Sequence, residues 1–293
     1  MKMENPEERK VERNVDDEKA LSLLRGIQEK KINVDSTKSA TKLHIKPDDN
    51  SNYWKVENLP SKYRLYELGT EISARPLKVI EVKKLAGINE DNANYIINEI
   101  LRKCVRGINV DDIYLADKMY LILWIRANTF RDNSYKVEQE CSKCGKTTGY
   151  HFNIDNLNVN YISDEYNPEE KYTLPSGDIV TLKHLTIGDE ISIESFKDRY
   201  FKLFTDSGEE IDDDLLREAF MINTINGEER NPLDKYNYIT DIPPTDYSYI
   251  KTKLEKITMG VSPVLTVKCS ECGGESLIGI TFRTEFFIPK YSA

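Results

Sequence analysis

Cys141-Ser142-Lys143-Cys144-Gly145 and Cys269-Ser270-Glu271-Cys272-Gly273 decide how this chain is read. Two thiolates spaced C-x2-C on a tight turn present both sulfurs to one tetrahedral metal, and two such turns brought together complete a four-cysteine zinc site. Each pair lies between β-type runs, Tyr135–Val137 and Tyr150–Phe152 for the first, Leu265–Val267 and Leu277–Phe282 for the second. That setting predicts two zinc-knuckle hairpins, whereas a redox C-x-x-C opens a helix within a βαβ pattern. Two separate disulfides or inert thiols are the alternatives. The start of the sequence carries no apolar signal segment, which favours reduced thiols.

A site closed by Cys141, Cys144, Cys269 and Cys272 leaves no open position for water or substrate, so its zinc is expected to be structural. One metal then staples two distant stretches of chain, and most of what lies between them becomes an insertion. The fifth cysteine, Cys104, falls on the apolar stripe of a predicted helix and reads as a core thiol.

Composition bounds the rest. With 293 residues and 39% of them hydrophobic, the chain has enough for one large or two modest domains with a real core. A net charge of −9 argues against broad binding to a phosphate backbone. No apolar run approaches the ~18 residues of a membrane span. The 17 tyrosines offer large amphipathic contact area, which favours protein partners.

Three segments follow from the patterning. Residues 1–52 read as an extended, partly disordered arm, because their polar stretches lack what a core needs; within it, Ala20, Leu23, Leu24 and Ile27 mark one short amphipathic helix suited to docking on its own domain or, with the polar linkers on both sides favouring it, on a neighbouring subunit. Residues 53–132 read as a helical domain. Its predicted helices cover about 79–85, a run carrying Ile96, Ile97, Ile100, Leu101 and Cys104, and about 111–129 with a stripe of Ile113, Ala116, Met119, Tyr120, Leu123 and Ala127. Residues 133–293 form the zinc-stapled α+β domain, with an insertion over 153–262. Tyr172–Leu182 predicts a hairpin turning at Pro175–Asp178. Helices are expected near 187–203, 213–224 and 245–259, and Phe282–Pro289 reads as a closing aromatic strand.

Catalytic equipment is sparse. His44, His151 and His184 have no convergent partner in the sequence. Asp206–Asp214 lacks the order of ligands in a calcium loop and reads as a solvated helix cap. No phosphate loop, nucleophile elbow or H-E-x-x-H helix is present. Arg75, Glu81, Asp117 and Arg126 read as ion pairs that set packing.

Leu59-Pro-Ser-Lys62, continuing through Leu65-Tyr66, Ile72, Arg75 and Leu77 to Glu81, then Asp117 to Arg126, resembles the N-terminal signature of the baseplate hub subunit family of T4-like contractile-tailed phages. The knuckles, Leu174-Pro-Ser-Gly177 and Phe286-Phe287-Ile288-Pro289 are similar to longer members of that group. The resemblance covers about residues 55–293; where its pattern has glycine, this chain has Lys62-Tyr63. It implies a non-enzymatic virion component in the tail baseplate. Such a component works by contacts with other baseplate or tail-tube proteins in a symmetric assembly built in the host cytoplasm.

The expectation is therefore an α+β fold of helices and short antiparallel strands around a zinc-ribbon-like unit, serving as a structural baseplate subunit that is not an enzyme. Two rivals stand beside it. One is a baseplate assembly chaperone absent from the mature virion. The other is a zinc-ribbon nucleic-acid adaptor, disfavoured by the acidic balance and because the knuckles carry only Lys143 and Lys146 on one turn and Glu271 and Glu275 on the other.

Overall fold

The computed structural model describes residues 52–287, apart from 90, 131–133, 209, 263 and 280–283. The arm helix expected near residues 16–27 lies outside these residues, as does His44. In chain order the elements are β1 Trp54–Lys55, β2 Ser73–Ala74, α1 Val79–Leu85, α2 Ala93–Cys104, β3 Val105–Arg106, α3 Leu115–Thr129, β4 Ser134–Glu140 and β5 Thr147–Asn153. There follow β6 Val159–Asn160, β7 Lys171–Thr173, β8 Ile179–Leu182, α4 Ile187–Ser207, α5 Asp213–Met221, β9 Ile222–Ile225, α6 Pro232–Asp241 and α7 Pro244–Ile257. The chain closes with β10 Gly260–Val261, β11 Val264–Lys268, β12 Glu275–Gly279 and α8 Thr284–Phe287. All the strand pairs formed by these elements are antiparallel, so the class is α+β as expected.

A first hydrophobic cluster gathers α1, α2, α3 and the β1-β2-β3 sheet. Helix α2 is amphipathic in the predicted way: Ile97, Ile100, Leu101 and Cys104 are buried, while Tyr95 and Arg102 face solvent. Helix α3 departs from its predicted single stripe, since every residue from Tyr120 to Ala127 is buried. The apolar run Leu121-Ile-Leu-Trp-Ile125 fits a helix enclosed on several sides, and α3 meets α2 and β10 while Arg126 donates from Nε to the carbonyl of Phe286.

The signature residues occupy this cluster. Leu59, Ser61, Ile72 and Asp117 are fully enclosed, and Arg75, Glu81 and Arg126 are buried. Arg75 and Glu81 form the expected ion pair, at 2.6 and 2.9 Å. Asp117 does not pair with a cation among the described residues. Its carboxylate accepts instead from the Ser61 backbone N–H at 3.0 Å and the Tyr66 hydroxyl at 2.7 Å. Desolvation raises its pKa against the pull of those donors. The turn where glycine is replaced keeps a glycine-like backbone: Lys62 and Tyr63 both lie in the left-handed region, at φ of 50° and 62°. Tyr63 offsets part of that strain by donating its hydroxyl to the Val56 carbonyl at 2.5 Å.

Gly107 shows how closely this cluster is drawn together. Its φ is 94°, and a Cβ there would sit 1.9 Å from the Glu71 carbonyl oxygen beside β2. Gly107→Ala is expected to push β3 off β2 and to cost about 2 kcal/mol or more, seen as a lowered urea midpoint with unchanged m-value.

A second cluster packs the β7-β8-β9 sheet against α4 to α7. The predicted hairpin is present, and Thr186 with Asp189 closes a capping box at the start of α4. Asp212 caps α5 by accepting from the N–H groups of Asp214 and Leu215 at 2.9 Å, which is the role expected of the acidic stretch. Within this cluster two elements escaped the sequence reading, α6 and β9. The two clusters meet where Leu115 N–H donates to the Leu185 carbonyl and Ile187 N–H to that of Ile113, both at 2.9 Å.

The closing strand is corrected over 284–287, where α8 forms a single helical turn. Phe286 and Phe287 are adjacent yet both buried in the first cluster, their rings nearly perpendicular at 4.9 Å. A strand sends neighbouring side chains to opposite faces, so burying both on one side selects the helical turn.

Candidate metal centre

The two cysteine pairs sit in hairpin loops of equal length. Strands β4 and β5 end their register at Glu140↔Thr147, and β11 and β12 at Lys268↔Glu275, so each loop holds Cys-x-x-Cys-Gly and one more residue. The loops share one hydrogen-bond scheme. Cys141 N–H donates to the Lys146 carbonyl at 3.0 Å and Gly145 N–H to that of Cys141 at 2.8 Å. Cys269 N–H donates to Gly274 and Gly273 N–H to Cys269, at 2.8 and 2.9 Å. Gly145 and Gly273 take φ of 69° and 67°, a left-handed step that turns the chain after the second cysteine into the returning strand.

These turns bring all four sulfurs within 4.8 Å of one another. Across the hairpins, Cys141 Sγ lies 3.7 Å from Cys272 Sγ, and Cys144 Sγ 3.8 Å from Cys269 Sγ. The edge of a sulfur tetrahedron around zinc, with zinc–sulfur bonds of ~2.3 Å, is about 3.8 Å long. A disulfide needs sulfurs ~2 Å apart, and all five cysteines are free. The four cysteines fit a tetrahedral metal ion, and among the described residues no other group of ligands converges this way.

The electrostatics favour anionic sulfur at the first position of each loop. The N–H groups of Lys143 and Cys144 lower the pKa of Cys141. The Thr148 hydroxyl, followed by the N–H groups of Cys272 and Glu271, brings Cys269 down to about 6. At Cys144 the Lys146 N–H favours the thiolate, but desolvation and the three neighbouring sulfurs prevail and push it up to about 12. Four thiolates cannot share so small a volume without a cation between them.

A family model described as T4 bacteriophage base plate protein matches residues 51–288, which takes in the signature, both knuckles and the helices between them. The chain belongs to that family. It is thus a T4-like baseplate protein, and association with other baseplate proteins follows at that level. Comparison with curated proteins and with solved structures gives no match. No helix among the described residues is long and apolar enough to cross a membrane.

Cys104 and His184 stay apart from the sulfurs. Cys104 is fully buried on α2, as expected of a core thiol, and burial together with the Glu81 charge pushes it up to about 12. The side chain of His151 lies outside the described residues. His184 is buried between the rings of Tyr166 at 5.0 Å and Tyr114 at 6.3 Å, and its Nε2 has no partner.

Burial lowers the pKa of His184 from 6.5 to about 4, so the folded chain holds it neutral. The unfolded chain binds a proton the folded one refuses, and stability is therefore complete above pH 6.5 and falls as pH drops from there toward 4. The loss approaches roughly 3 kcal/mol at the acid end. Urea midpoints measured from pH 7.5 to 4.5 should show this decline, and His184→Phe should flatten it; an unchanged slope in that variant would exclude His184 as its source.

Proposed function

We propose that this chain is a structural subunit of the tail baseplate, at the hub or its periphery, that acts by protein contacts and not by catalysis. The observation that carries the reading is the family match over residues 51–288. The burial of the signature supports it: Leu59, Arg75, Glu81, Asp117 and Arg126 serve a packed core instead of lining a reactive cleft. In this reading the metal is zinc, held by Cys141, Cys144, Cys269 and Cys272 in a zinc-ribbon-like unit, and it supplies folding energy. The arm before Asn52 docks on a neighbouring subunit of a symmetric assembly put together in the host cytoplasm.

Mass spectrometry of purified tails tests the assignment. The chain is expected at a fixed stoichiometry with the other baseplate proteins. Its absence from finished particles, together with its presence on assembly intermediates, would replace the subunit by an assembly chaperone.

A further inference from the structure

The two knuckles are related by more than their cysteines. Exchanging one hairpin for the other maps Cys141 onto Cys269, Cys144 onto Cys272 and Gly145 onto Gly273, and it carries the contact of Cys141 with Cys272, at 3.7 Å, onto that of Cys269 with Cys144, at 3.8 Å. The correspondence continues into the returning strands. Thr148 and Ser276 each stand seven residues after the first cysteine of their loop, and in the register they face Gln139 and Val267, each two residues before it. Two positions further on, Tyr150 and Ile278 are both buried. The hairpins thus form a pseudo-twofold unit with the sulfurs gathered about its axis.

That symmetry gives two hydroxyls equivalent places. Thr148 Oγ1 lies 3.6 Å from the sulfur of Cys269, a residue of the other hairpin. A thiolate bound to a metal has no proton to give, so in the loaded site the hydroxyl is the donor. Exchange of the hairpins carries this contact onto Ser276 and Cys141. Ser276 Oγ is buried and has no hydrogen-bond partner. A buried hydroxyl left without a partner is costly, and the acceptor that the symmetry supplies for it is the Cys141 sulfur.

Four thiolates around one divalent ion carry more negative charge than the ion cancels, and donors to the sulfurs spread that excess and fix the direction of each ligand. Within a loop the backbone serves this end, as where Gly274 N–H donates to Cys272 Sγ at 3.4 Å. Between the hairpins it falls to side chains. We propose that Thr148 and Ser276 are matched positioning residues of the metal centre, the first donating its hydroxyl to the Cys269 thiolate and the second to that of Cys141. Each hairpin then orients a sulfur of the other. The proposal rests on the reading of the four cysteines as a zinc site, and it adds the groups that orient two of them.

Two measurements on the full-length chain test the proposal: zinc affinity by competition with a chelator, and the sulfur-to-metal charge-transfer band of the cobalt-loaded protein. Thr148→Val keeps the shape and loses the hydroxyl. It should weaken zinc about tenfold or more and move the cobalt band to longer wavelength, because a sulfur without its donor gives up electron density more easily. Ser276→Ala should do both as well, while Thr148→Ser and Ser276→Thr keep a hydroxyl and should stay close to wild type. The band separates a hydroxyl on sulfur from one that only packs the hairpin, since packing alone leaves the charge on sulfur unchanged. A band that stays in place in Thr148→Val or in Ser276→Ala would overturn the proposal, whatever the affinity does. A wild-type chain that takes up neither metal would overturn the zinc reading and the proposal with it; a loaded wild type with unchanged variants overturns the role of the hydroxyls alone.

Discussion

Stripping the metal under reducing conditions should release one zinc per chain, expose four titratable thiols and melt both knuckle hairpins while the two hydrophobic clusters persist. Among the described residues no backbone pairing joins β4-β5 to β11-β12; each hairpin pairs only within itself. What crosses between them is the sulfur cluster, the Thr148 hydroxyl at 3.6 Å from Cys269 Sγ, and an exposed ion pair of Lys146 with Glu271 at 2.8 Å. An isolated two-stranded hairpin is marginal in water, and an exposed ion pair contributes at most about 1 kcal/mol. Structural zinc in small motifs carries on the order of 10 kcal/mol at neutral pH, so the metal outweighs the other links together. Hydrogen exchange should therefore show the amides of 134–153 and 264–279 losing protection on chelation, with those of α3 and α5 retaining it. Cys141→Ser and Cys269→Ser should reproduce the loss, and Cys104→Ser should leave the zinc content at one. Unchanged protection of the hairpins after chelation, or full zinc content in Cys269→Ser, would remove the metal from the fold.

The sequence announced the knuckles more clearly than the elements around them. A C-x2-C-Gly loop constrains itself: the spacing sets where two sulfurs point, and the glycine supplies the left-handed turn, so the site could be read before any tertiary contact was known. Helices α1 and α2 and the β7–β8 hairpin were legible for a similar reason, since periodicity or turn chemistry is local. Strand β9 was not, because Ile222–Ile225 continues the apolar pattern of α5 and only its pairing with β8 makes it a strand. Helix α6 was hidden in a polar stretch whose start signals, Asn231 as cap and Pro232 at the first position, are visible only in hindsight. The helical turn α8 was misread because two adjacent phenylalanines carry no period, and their common burial beneath Arg126 is a long-range fact.

Truncating Glu81 to alanine is expected to destabilise the chain by about 3–5 kcal/mol, the second-largest effect after loss of the metal, because it strands a buried guanidinium. Glu81 accepts from both terminal nitrogens of Arg75, from the Lys78 N–H at 2.7 Å, and from the Cys104 thiol at 3.6 Å. One carboxylate thus neutralises Arg75, caps the start of α1 and ties that helix to α2. Arg75 keeps only the carbonyls of Pro76 and Lys103 and the Tyr53 hydroxyl when Glu81 is gone, none of which carries charge. Glu81→Gln should cost less, since it preserves hydrogen bonding in part. The double variant Arg75→Met, Glu81→Met should recover much of the loss, because the site is apolar once neither charge is present. Acid should act like the truncation. The Arg75 hydrogen bonds hold the Glu81 pKa near 2, below its ordinary 4.5, so the pair's contribution is complete above pH 4.5 and is lost as pH falls through 2. Urea unfolding of the wild type, Arg75→Met, Glu81→Met and the double variant closes a cycle at pH 7; additive single losses in the double variant would show that the two side chains act independently and that the pair does not hold α1 in place.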